Sequence, residues 1–276
     1  MNIRQCVLAL ACAAALSTPL SGFAMVFAVN EGATYRVTDT EIQSKYKQVA
    51  DDLGKLLGQK VTVVPVSDYK AIAEGLAAGR FDLAYIHPTH VALHGLAVDG
   101  YQLVALTKGF TEYRAHFLVR ADSPAKNLAD LKGKKLGTPS PDSITSVLTR
   151  SSVREAVPGA ADAMAYVPSR YQDAIPFMVE HGLVDAGVTG SESVAKAWTQ
   201  SGGRVAFTSK AVPVKLMMAS KNVPADSVAA MQNYFVSLEH SEKGRRTLEQ
   251  IDKKGFVPFD ANALTAVNRW IATGLK

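Results

Sequence analysis

Apolar positions along this chain fall into short runs separated by amphipathic stretches. Val26-Phe-Ala-Val29 reads as a strand. From Thr40 to Leu57 the period changes to that of a helix, with Ile42, Tyr46, Val49, Leu53 and Leu56 on one face and Gly58 as its stop. Val61-Thr-Val-Val64 is the next strand. Ser67 is placed to cap a helix from Asp68 to Ala78 that Gly79 ends, and Phe81 to Ile86 is a buried strand leading into Pro88 at the start of another helix. This alternation calls for a mostly parallel sheet flanked by helices, with ligands bound beyond the carboxyl ends of the strands. Further strands are expected at Leu103–Leu106 and Ala115–Val119, followed by a surface turn and short helix from Ser123 to Gly133 and a strand entry from Leu131 to Leu136.

The next stretch, Gly137-Thr-Pro-Ser-Pro-Asp-Ser143-Ile-Thr145-Ser146, reads as a loop opening a helix. Pro139 and Pro141 keep the residues before them out of the helical region, so the helix starts near Asp142 or Ser143. The first backbone N–H groups of a helix lack intrahelical partners and carry the positive end of its dipole, which suits a small anion. Ser143, Thr145 and Ser146 add hydroxyls there. The plainer alternative is an ordinary Ser/Asp N-cap.

An internal echo organises the chain. Tyr69 to Ala84 carries a helix, Gly79, an apolar residue, Asp82 and a strand; Tyr171 to Gly187 repeats that order with Gly182 and Asp185. General helix–strand grammar could produce one such match. Two echoing units about a hundred residues apart point instead to two similar α/β lobes. The expected boundaries are 25–115 with 211–276 for lobe 1 and 116–210 for lobe 2, the helices after Ala225 packing back on the first.

The 276 residues are 47% hydrophobic and 20% charged, enough for two cores. Arg4, the apolar run from Cys6 to Leu16 and Gly22-Phe-Ala24 have the layout of a secretory signal peptide, residues 1–24. A lipoprotein reading at Cys12 lacks the leucine expected three residues earlier. Both cysteines would leave with the signal, which excludes disulfides, thiol catalysis and Cys-based metal sites. The formal net charge falls from +5 to +4 with the loss of Arg4. That suits an anionic ligand and is too mild and dispersed for nucleic acid. No later apolar run is long enough to span a membrane.

Three other patterns carry possible chemistry. His87, His90 and His94 follow a strand, and the last two could share a helix face and bind zinc; His87 or Thr89 in a ligand loop is the alternative. Ser67-Asp-Tyr-Lys70 matches Ser-x-x-Lys, but its partner motifs are missing and Ser67 suits a cap. Thr34 and Tyr35 could line a cleft or merely shape a loop.

Taken together, Asp68-Tyr69, Phe81-Asp-Leu-Ala-Tyr85, Asp122-Ser-Pro with Asn127-Leu-Ala-Asp-Leu, Pro141-Asp-Ser143-Ile-Thr145-Ser146, and Val184-Asp185 followed by Glu192 give a chain that resembles the periplasmic phosphonate/phosphite-binding proteins of ABC importers. The resemblance implies a two-lobed type II periplasmic-binding-protein fold, each lobe a mostly parallel sheet flanked by helices. Tyr69 then matches a tyrosine that bonds the phosphonate, Ser143 and Thr145 match the first and third hydroxyls of a Ser-Thr-Ser anion loop, and Glu192 matches a carboxylate that holds a ligand amine. This chain departs from the pattern at Ile144 in place of the middle hydroxyl, Ile86 in place of a tyrosine, Gln172 in place of a histidine and Lys215 in place of an aspartate. Lys215 opposes an amine unless it turns away or pairs with Glu192. The expected ligand is therefore a small anion without an amine, such as phosphate, phosphite or a simple phosphonate, or some other oxyanion.

The implied partners are that anion and an inner-membrane ABC permease, for a monomer with no cofactor and no metal. A sensor presenting its closed form to a membrane kinase is physically the same device. An enzyme on this fold is the contrasting class, and no Gly-x-Ser-x-Gly, cysteine or acid/base pair supports it.

Overall fold

The computed structural model describes residues 24–32, 37–159 and 164–276. The expected signal peptide, apart from Ala24, and the Thr34 and Tyr35 positions lie outside the described residues.

A first sheet is entered by β1 (Met25–Asn30), α1 (Asp39–Leu57), β2 (Val61–Pro65), α2 (Tyr69–Ala77), β3 (Leu83–Ile86), α3 (Thr89–Ala97) and β4 (Tyr101–Thr107). The chain then crosses to a second sheet. It runs through β5 (His116–Val119), β6 (Lys135–Thr138), α4 (Ile144–Ala156), β7 (Ala165–Pro168), α5 (Ile175–Glu180), β8 (Ala186–Thr189), α6 (Glu192–Gln200) and β9 (Arg204–Thr208). It returns as β10 (Leu216–Ser220), α7 (Ala225–Ser237), α8 (Glu242–Gln250), β11 (Phe256–Val257) and α9 (Ala261–Thr273).

The first sheet has the order β11-β4-β10-β3-β1-β2 and the second β7-β6-β8-β5-β9. β1 pairs in parallel with β2 and β3, and β6 with β7 and β8, as helix crossovers require. β10 lies antiparallel between β3 and β4, and β5 antiparallel between β8 and β9. Most strands in each sheet thus share a direction, yet each sheet is mixed. The cause is the double crossover: a strand arriving from the other sheet enters against the local direction.

Period-two alternation divides the core. Ala28, Ala84, Ile86 and Met218 face one side of the first sheet with residues of α2 and α3, while Phe27, Val29, Tyr85 and Met217 face the other, against α1, α7 and α8. The first of these clusters continues through α4 into Phe117, Leu136 and Val188 of the second sheet. Leu118 faces the opposite side, with Ile175, Val179 and Trp198.

Several local expectations shift. Asp68, not Ser67, caps α2, accepting from the Ala71 amide at 2.6 Å. α1 starts at Asp39 behind a Thr38/Glu41 capping box, and Leu56, near its end, is 46% exposed rather than buried. The strand expected from Leu131 begins only at Lys135, after a single 3-10 turn at Ala129–Leu131. α9 does not pack on the first sheet's helices alone: it lies against both α3 and α4. Arg150 and Arg154 of α4 donate to the carbonyls of Gly274, Thr273 and Lys276, where a helix C-terminus has acceptors to spare.

The echo has a structural meaning. Asp82 accepts from the Val26 amide at 2.8 Å, and Asp185 accepts from the Lys135 amide at 2.8 Å. Each aspartate ties the start of its strand to the start of the parallel neighbour. Gly79 and Gly182 sit at φ 62° and 66°, where a side chain would be strained.

Candidate functional site

Two antiparallel segments join the sheets, 108–115 and 209–215. Tyr113 and Val212 exchange both main-chain hydrogen bonds at 2.9 Å, and the Ser209 and Val214 amides donate to Ala115 and Phe110. The Tyr113 side chain reaches into both halves. Its hydroxyl lies 2.7 Å from Thr145 Oγ1, and its ring meets the His87 ring edge-on with centroids 6.2 Å apart.

On the second-sheet side, Ser143 is the N-cap of α4: its Oγ accepts from the Ser146 amide at 3.2 Å and donates to Ser146 Oγ at 3.1 Å. Ser146 Oγ donates to the Pro139 carbonyl at 2.9 Å. A hydroxyl has one hydrogen to give, so both serines spend theirs on the cap in this state. The plain cap reading thus describes Ser143 and Ser146 well. Among the described residues nothing accepts from the Ile144 and Thr145 amides, the orphan donors of the first turn. Ile144 itself is buried core, which is why no hydroxyl stands there.

Gln172 and Glu192 are grouped at Gly190, beside Thr145 of that turn. Gln172 Oε1 accepts from Thr189 Oγ1 at 3.0 Å and from the Gly190 amide at 2.6 Å, and Glu192 opens α6 behind its Ser191 cap. Both line a cavity of about 490 Å³ together with Phe110, Tyr113, His116 and Gly190. Gly190 must lack a side chain: a Cβ there would lie 1.7 Å from the Tyr113 hydroxyl and 2.7 Å from Thr145 Oγ1.

On the first-sheet side, Tyr69 is the buried first residue of α2. Tyr85 belongs to the core facing α1; its hydroxyl lies 3.1 Å from Thr107 Oγ1, and its ring packs on Tyr46. His87 is buried after β3, and burial, then the nearby Lys215 ammonium, pushes its pKa down to about 3. The imidazole is neutral at physiological pH.

Lys215 finds a partner far off in the chain. Its ammonium is buried against Glu31 at 3.2 Å and sits 4.4 Å over the Phe110 ring, while the Glu192 charge is felt at His116. Of the alternatives open to Lys215, pairing with Glu192 is not the one seen: its carboxylate partner is Glu31, in a cluster to which the sequence did not point. Glu31 also meets Lys253 at 3.0 Å, Lys45 at 3.4 Å and the Tyr46 hydroxyl at 2.6 Å. Burial would raise the Glu31 pKa, but the pull of Lys253 and Lys215 and the Tyr46 bond bring it down to about 2.

The histidines after β3 do not converge on a metal. His94 is exposed and faces Asp99 at 4.0 Å, and among the described residues no group of three His, Cys, Asp or Glu side chains is placed to hold an ion. No helix among those residues is long and apolar enough to cross a membrane.

A family profile described as ABC transporter, phosphonate, periplasmic substrate-binding protein matches residues 32–264. The chain belongs to that family. It is 26% identical over 246 residues to the phosphate-import protein PhnD of Mycolicibacterium smegmatis, covering 84% of this chain and 76% of that one. Two solved structures share the fold. XAC2383 from Xanthomonas citri, bound to ATP, superposes with a TM-score of 0.74 at 16% identity over 91% of this chain and 97% of its own. PhnD1 from Prochlorococcus marinus, in complex with methylphosphonate, gives 0.65 at 15% identity over 89% and 96%. The architecture is the two-lobed type II periplasmic-binding-protein fold, and the family is one of transport receptors rather than enzymes. Tyr113 lies on a segment that joins the two sheets, and its hydroxyl meets Thr145 in the first turn of α4.

Proposed function

We propose that this protein, freed of residues 1–24 on export, captures a small oxyanion between lobe 1 (25–115 and 211–276) and lobe 2 (116–210) and delivers it to an inner-membrane ABC permease. The ligand is phosphate, phosphite or a simple phosphonate. The observation that carries the reading is the opposition of two unlike half-sites: the orphan amides and Thr145 of the α4 first turn on one side, and a buried surplus of ammonium groups around Glu31 on the other. Tyr113 connects them. That surplus also disfavours a ligand amine, since like charges at ~4 Å repel by on the order of 4 kcal/mol near a surface. Tyr69, Thr145, Gln172 and Glu192 are the residues offered to the anion and its substituent, while Ser143 caps the turn that presents the orphan amides.

A thermal-shift screen over phosphate, phosphite, methylphosphonate, 2-aminoethylphosphonate, sulfate and ATP tests this. A ligand present at 100 times its Kd adds about 2.7 kcal/mol of stability. Phosphate, phosphite or methylphosphonate is expected to raise the melting temperature, and 2-aminoethylphosphonate is not. If none of the small oxyanions shifts it, the receptor reading falls.

A further inference from the structure

We propose that Glu31, Lys45, Lys215 and Lys253 form a charge-selecting element that makes the site prefer a dianion over a monoanion of the same shape. The proposal rests on the anion-receptor reading and adds the charge state of the ligand to it.

The cluster is one carboxylate among three ammoniums. Lys253 Nζ lies 3.0 and 3.3 Å from the two Glu31 oxygens, Lys215 Nζ 3.2 Å and Lys45 Nζ 3.4 Å from its carboxylate. The side chains of Lys253, Lys215 and Glu31 are only 2%, 6% and 7% exposed. A structural ion pair buried this deeply is stable when its charges balance, because desolvation is offset only by attraction. Among the described residues the three ammoniums share one carboxylate, Glu31, so positive charge exceeds negative there by two, and an anion carrying two negative charges offsets that excess.

The position fits that use. Glu31 follows β1; Lys215 precedes β10, whose Leu216 pairs with Ile86; Lys253 precedes β11, whose Phe256 pairs with Thr107. All three therefore stand at the carboxyl edge of β1, β3 and β4, where α/β sheets bind ligands. Lys215 lies over Phe110, which with Tyr113 lines the hinge cavity, and its charge is felt at His87, whose ring meets Tyr113. Lys215 also adopts φ 62°, a left-handed conformation uncommon for a lysine. Its carbonyl accepts from Thr107 Oγ1 at 2.7 Å, which fixes the backbone that aims the ammonium.

The surroundings of Lys253 agree with a surplus. Burial, joined by the Lys215 and Lys45 charges, outweighs the Glu31 attraction and lowers the Lys253 pKa to about 8. The groups facing Lys253 are Glu31, Lys215, Lys45 and the Tyr85 ring, with neutral His87 and the Tyr46 hydroxyl beyond. Near pH 8 the empty protein has Lys253 partly deprotonated. A dianion in the cleft draws a proton back onto it.

Methylphosphonate, mostly dianionic at pH 8, and methanesulfonate, a monoanion of nearly the same shape, are the probes. Through an effective dielectric of about 20 and with salt screening, each unit of ligand charge that feels one ammonium changes affinity by roughly tenfold. Calorimetric titration of the full mature chain is expected to show that Lys253→Met weakens methylphosphonate about tenfold more than methanesulfonate. Glu31→Gln shifts the ratio the other way. In buffers of different ionisation enthalpy, the wild type takes up protons on binding methylphosphonate at pH 8 in excess of Lys253→Met. Equal losses on both probes, or unchanged proton uptake in Lys253→Met, overturn charge selection while leaving the receptor reading intact. Failure of wild type to bind either probe or phosphate overturns both. Should Glu31→Gln not fold, Lys253→Met, which leaves Glu31 paired with Lys215 and Lys45, decides alone.

Discussion

Replacing Glu31 by Gln is the most informative single change for stability. The amide keeps the shape and can still accept from Tyr46, but three ammoniums lose their common counter-charge. Folding lowers the Glu31 pKa from 4.5 to about 2, and at 1.36 kcal/mol per unit that interaction is worth about 3 kcal/mol at neutral pH. Removing one partner of a buried pair costs about the same, 3–5 kcal/mol. For a chain of this size the melting temperature should fall by roughly 10 °C. The pH dependence follows in sign. A carboxylate with a depressed folded pKa contributes stability that is complete above 4.5 and is lost as pH falls toward 2. Urea unfolding of wild type and Glu31→Gln between pH 7 and pH 3 should therefore show a gap that is widest at neutral pH and narrows below pH 4.5. A gap that stays constant across that range, or no gap at pH 7, would refute the electrostatic account. Saturating phosphate should recover more stability in the variant than in the wild type, because the ligand then supplies the missing negative charge.

Gly190→Ala should abolish or weaken anion binding at least tenfold in calorimetry, because its Cβ would displace the Tyr113–Thr145 contact; unaltered affinity would detach that contact from the site. Ser143→Ala should cost about 1 kcal/mol of stability as a lost N-cap, whereas Thr145→Ala should chiefly affect binding, and the reverse pattern in paired melts and titrations would exchange their roles. His90 is held near 4 and His87 near 3, mainly by burial, so below pH 6.5 the unfolded chain binds more protons and stability falls as pH drops from 6.5 toward 4. His90→Gln should flatten part of that slope in pH-dependent melts, and an unchanged slope would assign it elsewhere.

Much of the architecture was legible because strand–helix alternation and the Gly–x–Asp echo are local signals. Asp82 and Asp185 even perform the same bond in the two halves, which explains why the pattern repeats. Sheet order was less legible. That β10 slots antiparallel between β3 and β4 depends on which way the chain returns from the second sheet, and no local period encodes it. The placement of α9 across α4 was invisible for a similar reason, since the arginines that fasten it, Arg150 and Arg154, read from sequence as ordinary polar positions.

The site divides along the same line. The α4 first turn could be found from Pro139, Pro141 and the hydroxyls because capping is written in consecutive residues. Tyr113 could have been suspected only as a tyrosine in a loop between two strands. Lys215 attracted notice as a departure at a family position, but its partner did not: Glu31 is 184 residues away from it, and Lys253 is 222 residues from Glu31. These groups meet because three strands of one sheet end side by side, so their charges act together only after β10 and β11 have joined β3 and β4. A charge surplus of this kind is a property of the assembled edge. The proposed half-site built from one helix turn can be read in the sequence, while the one built from strand ends needs the fold, and the proposed selection of ligand charge belongs to the second.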